Sequence, residues 1–529
     1  MATPELALIP TGYKAGKVYS VLPESGVGDF AFTRASAATR INSAGLLEVE
    51  ATGVPRLEYP LIDGVVNGCP SLLLENQATN LITYPISFGN PYWTKSGATI
   101  EGDPSTAGSE LVVNGDFATD SDWTKGTGWS IGSGVASCDG TQTAGTQLTQ
   151  NGTYTINKTY KITYTAIVTA GFVTVRLSGV GALVSGISRT TSGTYTEYLT
   201  STGNNLFILR GNTNFIGSVD NVSVKEVQGY SSPSVDFPTS GFKLVEDTST
   251  GQHYTQVGIT TTATDFSVSF YVKPAERTGV VVASSYGGVY FDLLNETIIS
   301  GTGGKIEALT NGWYRCSVTQ LATVAIPNYS ITLLNDSDAN SYTGDGTSGV
   351  YIFMAQVEQG SYATSPTLTS LTAEGTTTTR VAEVCNGSGN ASTFNDSEGV
   401  LMVEISAFEE TNSFESITIN DNSTSNRVFI GYYSDDLYIV IRSGGQSKYD
   451  VNTPINVKQN NKIAVKYKLN DFSLYLNGFE INSSAGINGG TTPVGLANLS
   501  FDRGDGVEPF YGKTKQIQYF NTVLTDLEI

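Results

Sequence analysis

The chain writes nearly the same words twice within 40 residues, "GNPYWTKSGATI" from Gly89 and "NGDFATDSDWTKGTGWSIGSG" from Asn114. Trp-Thr-Lys opens a strand-like segment at Trp93 and again at Trp123. Thirty residues are far too few to complete a β-sandwich, so the first copy cannot have ended before the second begins. Either one module interrupts another, or two sandwiches follow in tandem with Trp93 in a linker.

The text downstream favours interruption. In "YKITYTAIV", Ile162, Tyr164, Ala166 and Val168 alternate with Thr163 and Thr165, the period-2 pattern of a half-buried strand. "DFSVSFYVKP" places Phe266, Val268, Phe270 and Val272 on one face in the same way. Three more phrases correspond in order: "SGTYTEYLTS" with "NGWYRCSVTQ", "NLFILRG" with "YSITLLND", and "GSVDNVSVKEV" with "GVYIFMAQVEQG". Two copies of one sandwich of roughly 120 residues account for this. The second copy has its later strands but no Trp-Thr-Lys start before "GFKLVEDTSTGQHY". Joining 84–108 to 229–367 supplies that start and leaves 109–228 as a sandwich seated in an exposed turn, where insertion costs little.

Composition agrees with an all-β chain of several β-sandwich (jelly-roll) domains, one inserted within another. Only 15% of residues are charged, against about 25% in ordinary soluble domains, and Gly (58), Tyr (28) and Phe (22) are abundant. Gly and Asn tolerate left-handed turns, and Thr, Tyr and Val fit a pleated surface. Residues 1–83 mix short apolar bursts with turns and show no sustained period, so this segment is expected to pack on a neighbouring domain or subunit as an attachment segment. Residues 368–397 form a Thr- and Ser-rich connector. The final module, 398–529, contains the hairpin "KLNDFSLYLNG" and a further turn at Asn477-Gly478.

A net charge of −20 argues against a nucleic-acid partner, which requires a basic footprint. Met1 is followed by "ATPELALIPTGYKAGK", with no apolar signal core, and no run of about 18 apolar residues occurs, so neither a standard secretion signal nor membrane insertion is expected. Cys69, Cys138, Cys316 and Cys385 lie far apart without CxxC spacing and read as free thiols.

Catalytic signatures are lacking. The one histidine, His253, has no Gly-x-Ser-x-Gly companion, and no HExxH or Walker loop is present. A glycosidase needs two carboxylates about 5–10 Å apart, and the strands "LMVEISAF" and "DLYIVIRS" carry too few acids for that arrangement. The chain is therefore expected not to be an enzyme. For metal, "NDSDANSYTGDGTSG" offers Asp336, Asp338, Asn340 and Asp345 as hard oxygen donors for a structural calcium, without the glycine and glutamate of an EF-hand. Asp502 and Asp505 are a weaker second set. For ligand, "IGYYSDDLY" supplies Tyr432, Tyr433, Asp435, Asp436 and Tyr438, aromatic faces beside carboxylates of the kind that suit sugar rings. Trp93, Trp123 and Trp313 read as core anchors.

Leu474-Tyr475-Leu476-Asn477-Gly478 and the closing "GKTKQIQYFNTVLTDLEI", with Leu524-Thr525-Asp526-Leu527-Glu528-Ile529, resemble a concanavalin A-like, laminin-G-type jelly roll. "FTRASAATRINSAGLLEVEATGVPRLEY", "CPSLLLENQATNLITYP", "NPYWTKSGATI" and "YTGDGTSGVYIFMAQVEQGSYATS" resemble modular virion proteins of tailed bacteriophages: head spikes, head fibres and tail fibres. That resemblance implies sandwiches of carbohydrate-binding-module type displayed on the virion surface, other capsid or tail proteins as partners, adhesion to surface glycans, and assembly as a homotrimer or another homo-oligomer. A purely structural decoration protein and a polysaccharide depolymerase are the rival readings.

Overall fold

In a computed structural model the described residues are 3–20, 26, 28–102, 107–155, 158–227, 229–259, 265–284, 287–321, 328–367, 374–526 and 528–529. Residues 368–373 of the connector, Leu527 of the closing phrase and Met1 lie outside them. The protein is built from antiparallel strands, and its one helical element among the described residues is a 3-10 turn at Thr310–Gly312. None of its described helices is long and apolar enough to cross a membrane.

The inner sandwich packs a sheet of Ala107–Glu110, Trp129–Gly132, Val135–Cys138, Thr159–Ala170, Gly193–Thr200 and Ile216–Val227 against one of Thr124–Lys125, Thr146–Tyr154, Val173–Ser178, Val184–Ser185 and Asn204–Gly211. The middle sandwich does the same with Ala98–Glu101, Phe242–Glu246, Asp265–Pro274, Gly304–Ala308, Tyr314–Leu321 and Gly349–Gln359 facing Thr94–Ser96, Tyr254–Gly258, Gly279–Ser284, Gly287–Asp292, Thr297–Ser300 and Asn328–Leu334. Equivalent strands hold equivalent places. Gly193–Thr200 pairs with Thr159–Ala170 as Tyr314–Leu321 pairs with Asp265–Pro274. Each long central strand also meets a bulge in its partner, at Asn221 (φ 52°) and Met354 (φ 39°), where left-handed backbone re-aims the ladder.

The repeated Trp-Thr-Lys has the same job in both. Trp93 Nε1 donates to the carbonyl oxygen of Tyr84 (2.8 Å) and Trp123 Nε1 to that of Asn114 (3.0 Å), nine residues upstream in each case. The indoles then stack into separate cores, Trp93 6.1 Å from Phe270 and Trp123 6.2 Å from Phe207. The residues that follow each tryptophan, Thr94–Ser96 and Thr124–Lys125, form an edge strand of one sheet.

Strands from the N-terminal segment pair with the end of the chain. Leu6–Leu8 and Ser71–Leu74 both add to Gly512–Phe520, and Arg56–Glu58 adds to Ser71–Leu74. They extend the sheet of Phe479–Ser484, Asp471–Leu476, Asn461–Lys468, Glu398–Ala407 and Gly512–Phe520, which faces a five-stranded sheet of Gln446–Pro454, Asp436–Ser443, Arg427–Ser434, Thr411–Asn420 and Asn498–Ser500. Leu6, Leu8, Leu57, Leu72 and Leu74 share one core with Leu401, Ile430 and Ile517. Leu6–Leu8, Arg56–Glu58 and Ser71–Leu74 are thus part of this outer sandwich's own core, whereas Leu47 packs on the middle sandwich beside Trp313, and the middle sandwich is inserted between the outer one's N-terminal and C-terminal strands. The three modules are nested, each within a loop of the next.

The connector is also built in. Thr378–Arg380 pairs with Ala78–Asn80, and Val384–Asn386 with Phe30–Thr33. Between them sits a buried ion network. Glu383 receives Arg34 Nη1 at 2.7 Å and Arg56 Nε at 2.9 Å, and its second oxygen is shared by Arg56 Nη2 and the Glu75 amide. Glu75 in turn meets Arg56 and Arg380 at 2.8 and 2.9 Å. Burial pushes the Glu75 carboxyl up, but Arg380 and Arg56 outweigh it and hold the group at about 2.

Candidate functional site

The alternation of the five-stranded sheet separates the expected ligand residues. Val428, Ile430 and Tyr432 point into the core from one strand, as do Leu437, Ile439 and Ile441 from the next. Tyr432 is 2% exposed, and its hydroxyl is 3.4 Å from the Ile405 carbonyl, so it is a core residue and not a ligand contact. The residues that follow Tyr432 and its partner Leu437, Tyr433 and Tyr438, take the outer face. There they meet Phe414, a ring outside the "IGYYSDDLY" stretch that also touches Phe429. Phe414 is 4.9 Å from Tyr433, 5.1 Å from Tyr438 and 5.8 Å from Phe429, and Tyr433 lies 6.1 Å edge-on to Tyr438. Asp435 and Asp436 sit at the hairpin end, where Ser434 adopts φ 58° and Tyr433 pairs with Asp436.

Beside this aromatic patch is a cavity of about 370 Å³, walled by Phe414, Phe429 and Val440 and by Arg427, Arg442, Arg503 and Glu508. Arg427 and Arg442 are directly opposite each other across the strand pair. Arg503 is neutralised by Asp505 at 2.7 Å and Glu508 at 2.9 Å. Arg427 is 5% exposed, stacks on Phe429 at 5.0 Å and gives one N–H to the Arg503 carbonyl at 2.8 Å. Burial, then the positive charges of Arg442 and Arg503, bring its guanidinium down to about 10. The Nε atoms of both Arg427 and Arg442 are buried without a hydrogen-bond partner among the described residues. The sequence signal for these residues was the alternation itself, since Arg427, Phe429 and Tyr433 lie two and four residues apart on the face opposite Val428 and Ile430.

In the loop proposed for calcium, Asp336, Asn340 and Asp345 take separate partners. Asp336 pairs with Arg277 Nη1 at 3.1 Å, and Asn340 Nδ2 donates to the Tyr290 hydroxyl at 2.9 Å. Asp345 accepts the amides of Thr347 and Ser348 at 2.7 Å each and the Ser348 hydroxyl at 2.6 Å, and these bonds hold its carboxyl well below the usual range. Asp338 turns the backbone at φ 60°. The positive charge near Asp336 and Asp345 is the guanidinium of Arg277, which also binds Glu246. Asp502 is likewise occupied by Ser500, Gly504 and Asn386, and Asp505 by Arg503. Among the described residues no three His, Cys, Asp or Glu side chains are grouped to hold a metal.

His253 is fully buried, its ring nitrogens against the carbonyl oxygens of Gly97 and Tyr342. A second cleft of about 430 Å³ lies where residues 39–63 meet the middle sandwich. Most of its charges are paired: Arg40 with Glu48 and Glu50, Glu58 with Lys513, and Glu307 with Lys305. In the outer sandwich, Arg427 and Arg442 stand beside the ring platform with no carboxylate partner among the described residues.

No family model matches the chain, and no curated protein does. Twenty-one solved chains match by structure. The CBM40 module of a Ruminococcus gnavus sialidase, bound to α2,3-sialyllactose, matches 27% of this chain and 90% of its own, at 16% identity and a TM-score of 0.24. The tandem CBM22 modules of Paenibacillus barcinonensis Xyn10C match 49% of this chain and 99% of theirs, at 12% identity and a TM-score of 0.24. The NanB sialidase of Streptococcus pneumoniae matches 26% of this chain over 24% of its own length, at 16% identity and a TM-score of 0.23. Two of these three are carbohydrate-binding modules. Each match is a likeness of β-sandwich fold alone.

Proposed function

We propose that the chain is a non-enzymatic adhesion protein of the bacteriophage appendage kind, whose outer sandwich holds glycans on the exposed face of its five-stranded sheet. The observation that carries the reading is the ring cluster of Phe414, Tyr433 and Tyr438 standing on that face, next to a cavity with donors to spare. Sugar C–H faces stack on such rings, and their hydroxyls need polar partners at the edge. The site is shallow, so each contact is weak, and repetition of the protein in a homotrimer or on a particle would multiply it. Capsid or tail proteins are the expected structural partners, and the sequence resemblance to virion proteins supports that placement.

The test uses the full chain, because the outer sandwich needs residues 6–74 to close. Binding to a panel of bacterial surface polysaccharides is measured for the protein and for Tyr433→Ala and Phe414→Ala. Retained folding with affinity reduced about fivefold or more supports the reading. Wild-type protein that is folded and binds none of the panel overturns it and leaves the decoration reading. Release of reducing ends from any polysaccharide would replace it with depolymerase activity.

A further inference from the structure

Like charges placed directly opposite on neighbouring strands destabilise a sheet, and a guanidinium buried without its hydrogen bonds carries a desolvation cost. The outer sandwich bears both costs at once. Arg427 faces Arg442 across the strand pair, and neither has a carboxylate partner among the described residues, in a chain whose net charge is −20. Acidic side chains are plentiful, yet the two that approach, Asp505 and Glu508, are spent on Arg503. The buried cluster of Arg34, Arg56 and Arg380, by contrast, is matched by Glu383 and Glu75. A cationic pair left open on the rim of a cavity that is apolar on its other wall is arranged for a ligand that brings the missing charge.

We propose that Arg427 and Arg442 seat the anionic substituent of an acidic saccharide, whose ring lies against Phe414. This rests on the glycan-adhesion reading above and adds the ligand's class. The cavity, about 370 Å³, is of a size for one ring and its substituent. Arg427 is locked over Phe429 and bound to the Arg503 carbonyl, so its fork is pre-organised, while the half-buried Arg442 presents the second fork from the facing strand. Guanidinium forks bind carboxylate and sulfate oxygens through paired, charge-assisted hydrogen bonds. Neutral sugars would reach the ring platform but leave the Arg442 fork and the remaining Arg427 N–H groups without an anion.

The experiment is calorimetric titration of the full chain with uronate oligosaccharides, with the same oligosaccharides after carboxyl reduction, and with sulfated neutral oligosaccharides. The acidic forms are expected to bind about tenfold or more tightly than the reduced forms, with an advantage that shrinks as salt rises. Arg442→Gln is expected to abolish this discrimination and leave weak binding of the reduced forms. Its melting temperature should equal or exceed that of the wild type, since a repulsion is removed. Arg442→Lys, which keeps the charge and loses the fork, should fall between them. A preference for the sulfated series with the same dependence on Arg442 assigns the seat to a sulfate ester and supports the proposal. Equal binding of acidic and reduced forms overturns the proposal and leaves adhesion standing. If no oligosaccharide binds, adhesion itself fails, and free glucuronate decides the remainder. Protection of Arg442 from phenylglyoxal by glucuronate, and not by glucose, keeps the anion seat; equal reactivity with both overturns it.

Discussion

Leu6 is paired in register with Tyr519, so the first described strand of the protein runs against its last. Immediately beside it, Leu72 lies opposite Thr514 on the same edge of the same strand. Two segments from the beginning of the chain thereby cover one edge of Gly512–Phe520, and everything from Thr94 to Gln359 hangs from the loop between. The outer sandwich cannot close until the whole of the middle and inner sandwiches has been made.

Removing residues 1–83 is therefore expected to cripple the outer sandwich and spare most of the inner one. The deletion strips Leu6, Leu8, Leu57, Leu72 and Leu74 from its core and uncovers the edge of a nine-residue strand. Exposed edges of that length pair with other chains. Calorimetry of the 84–529 fragment should show loss of the outer-sandwich transition and an aggregating species, with the inner-sandwich transition retained. A fragment that keeps all transitions would show that these strands are dispensable.

Glu383 is a single carboxylate holding two arginines from the N-terminal segment, with no side-chain exposure. Glu383→Gln keeps the shape and removes the charge, leaving Arg34 without its ion-pair partner and Arg56 with Glu75 alone. Breaking one side of a buried pair costs about 3–5 kcal/mol. Urea denaturation should show a loss of that order in the outer sandwich, whereas Lys458→Gln, which breaks an exposed pair with Glu410, should change stability by less than about 1 kcal/mol.

Local pattern was legible where one face met water. Tyr160, Ile162, Tyr164 and Ala166 are buried at alternate positions of their strand, as the spacing indicates. In Asp265–Pro274 the alternation still marks the core face, but Ser267, Ser269 and Tyr271 on the other face are buried too, under later residues including Thr364 and Arg315. The destination of Leu6–Leu8 and Ser71–Leu74 was not legible, because their partner strand comes from the far end of the chain and leaves no local period. Tyr432 was grouped with Tyr433 by adjacency, although period 2 sends neighbours to opposite faces. The Arg427–Arg442 opposition becomes readable only once the two-residue turn is fixed at Ser434–Asp435, since counting outward from it sets every pair.

The twin tryptophans give a test of nesting. Trp93→Ala is expected to cost the middle sandwich about 3–5 kcal/mol, and Trp123→Ala to cost the inner one a similar amount. Because the two indoles lie in different cores, the double variant should show the sum of the single effects within about 0.5 kcal/mol. Strong coupling between them would mean that the two sandwiches unfold as one unit.

Arg277 binds Glu246, Asp336 and, at 4.0 Å, Asp345. With that positive charge already in place, millimolar calcium or its removal by EDTA should leave the melting temperature of the middle sandwich unchanged. Arg277→Gln should lower stability and make the loop newly sensitive to calcium, if the carboxylates it releases turn to a cation. A calcium-dependent rise in the wild-type protein would show that the loop reorganises around the ion.

Glu415 is expected to make the outer sandwich lose stability as pH rises. It lies opposite Tyr432 on the edge of the core, is 9% exposed, and has one carboxyl oxygen buried with no hydrogen-bond partner among the described residues. Burial, with Glu409 adding repulsion, pushes its carboxyl up to about 8 from an ordinary 4.5. The folded protein thus holds a proton that the unfolded chain gives up between those values. Stability is fully present below about 4.5 and declines as pH rises through about 8, the reverse of a salt-bridged carboxylate such as Glu75. Glu415→Gln fixes the neutral form and should flatten the decline, so that variant and wild type match near pH 5 and the variant is the more stable at pH 9. Thermal unfolding of both proteins across that range, in one buffer series at constant ionic strength, measures the difference directly, and parallel pH profiles would show that Glu415 is charged throughout.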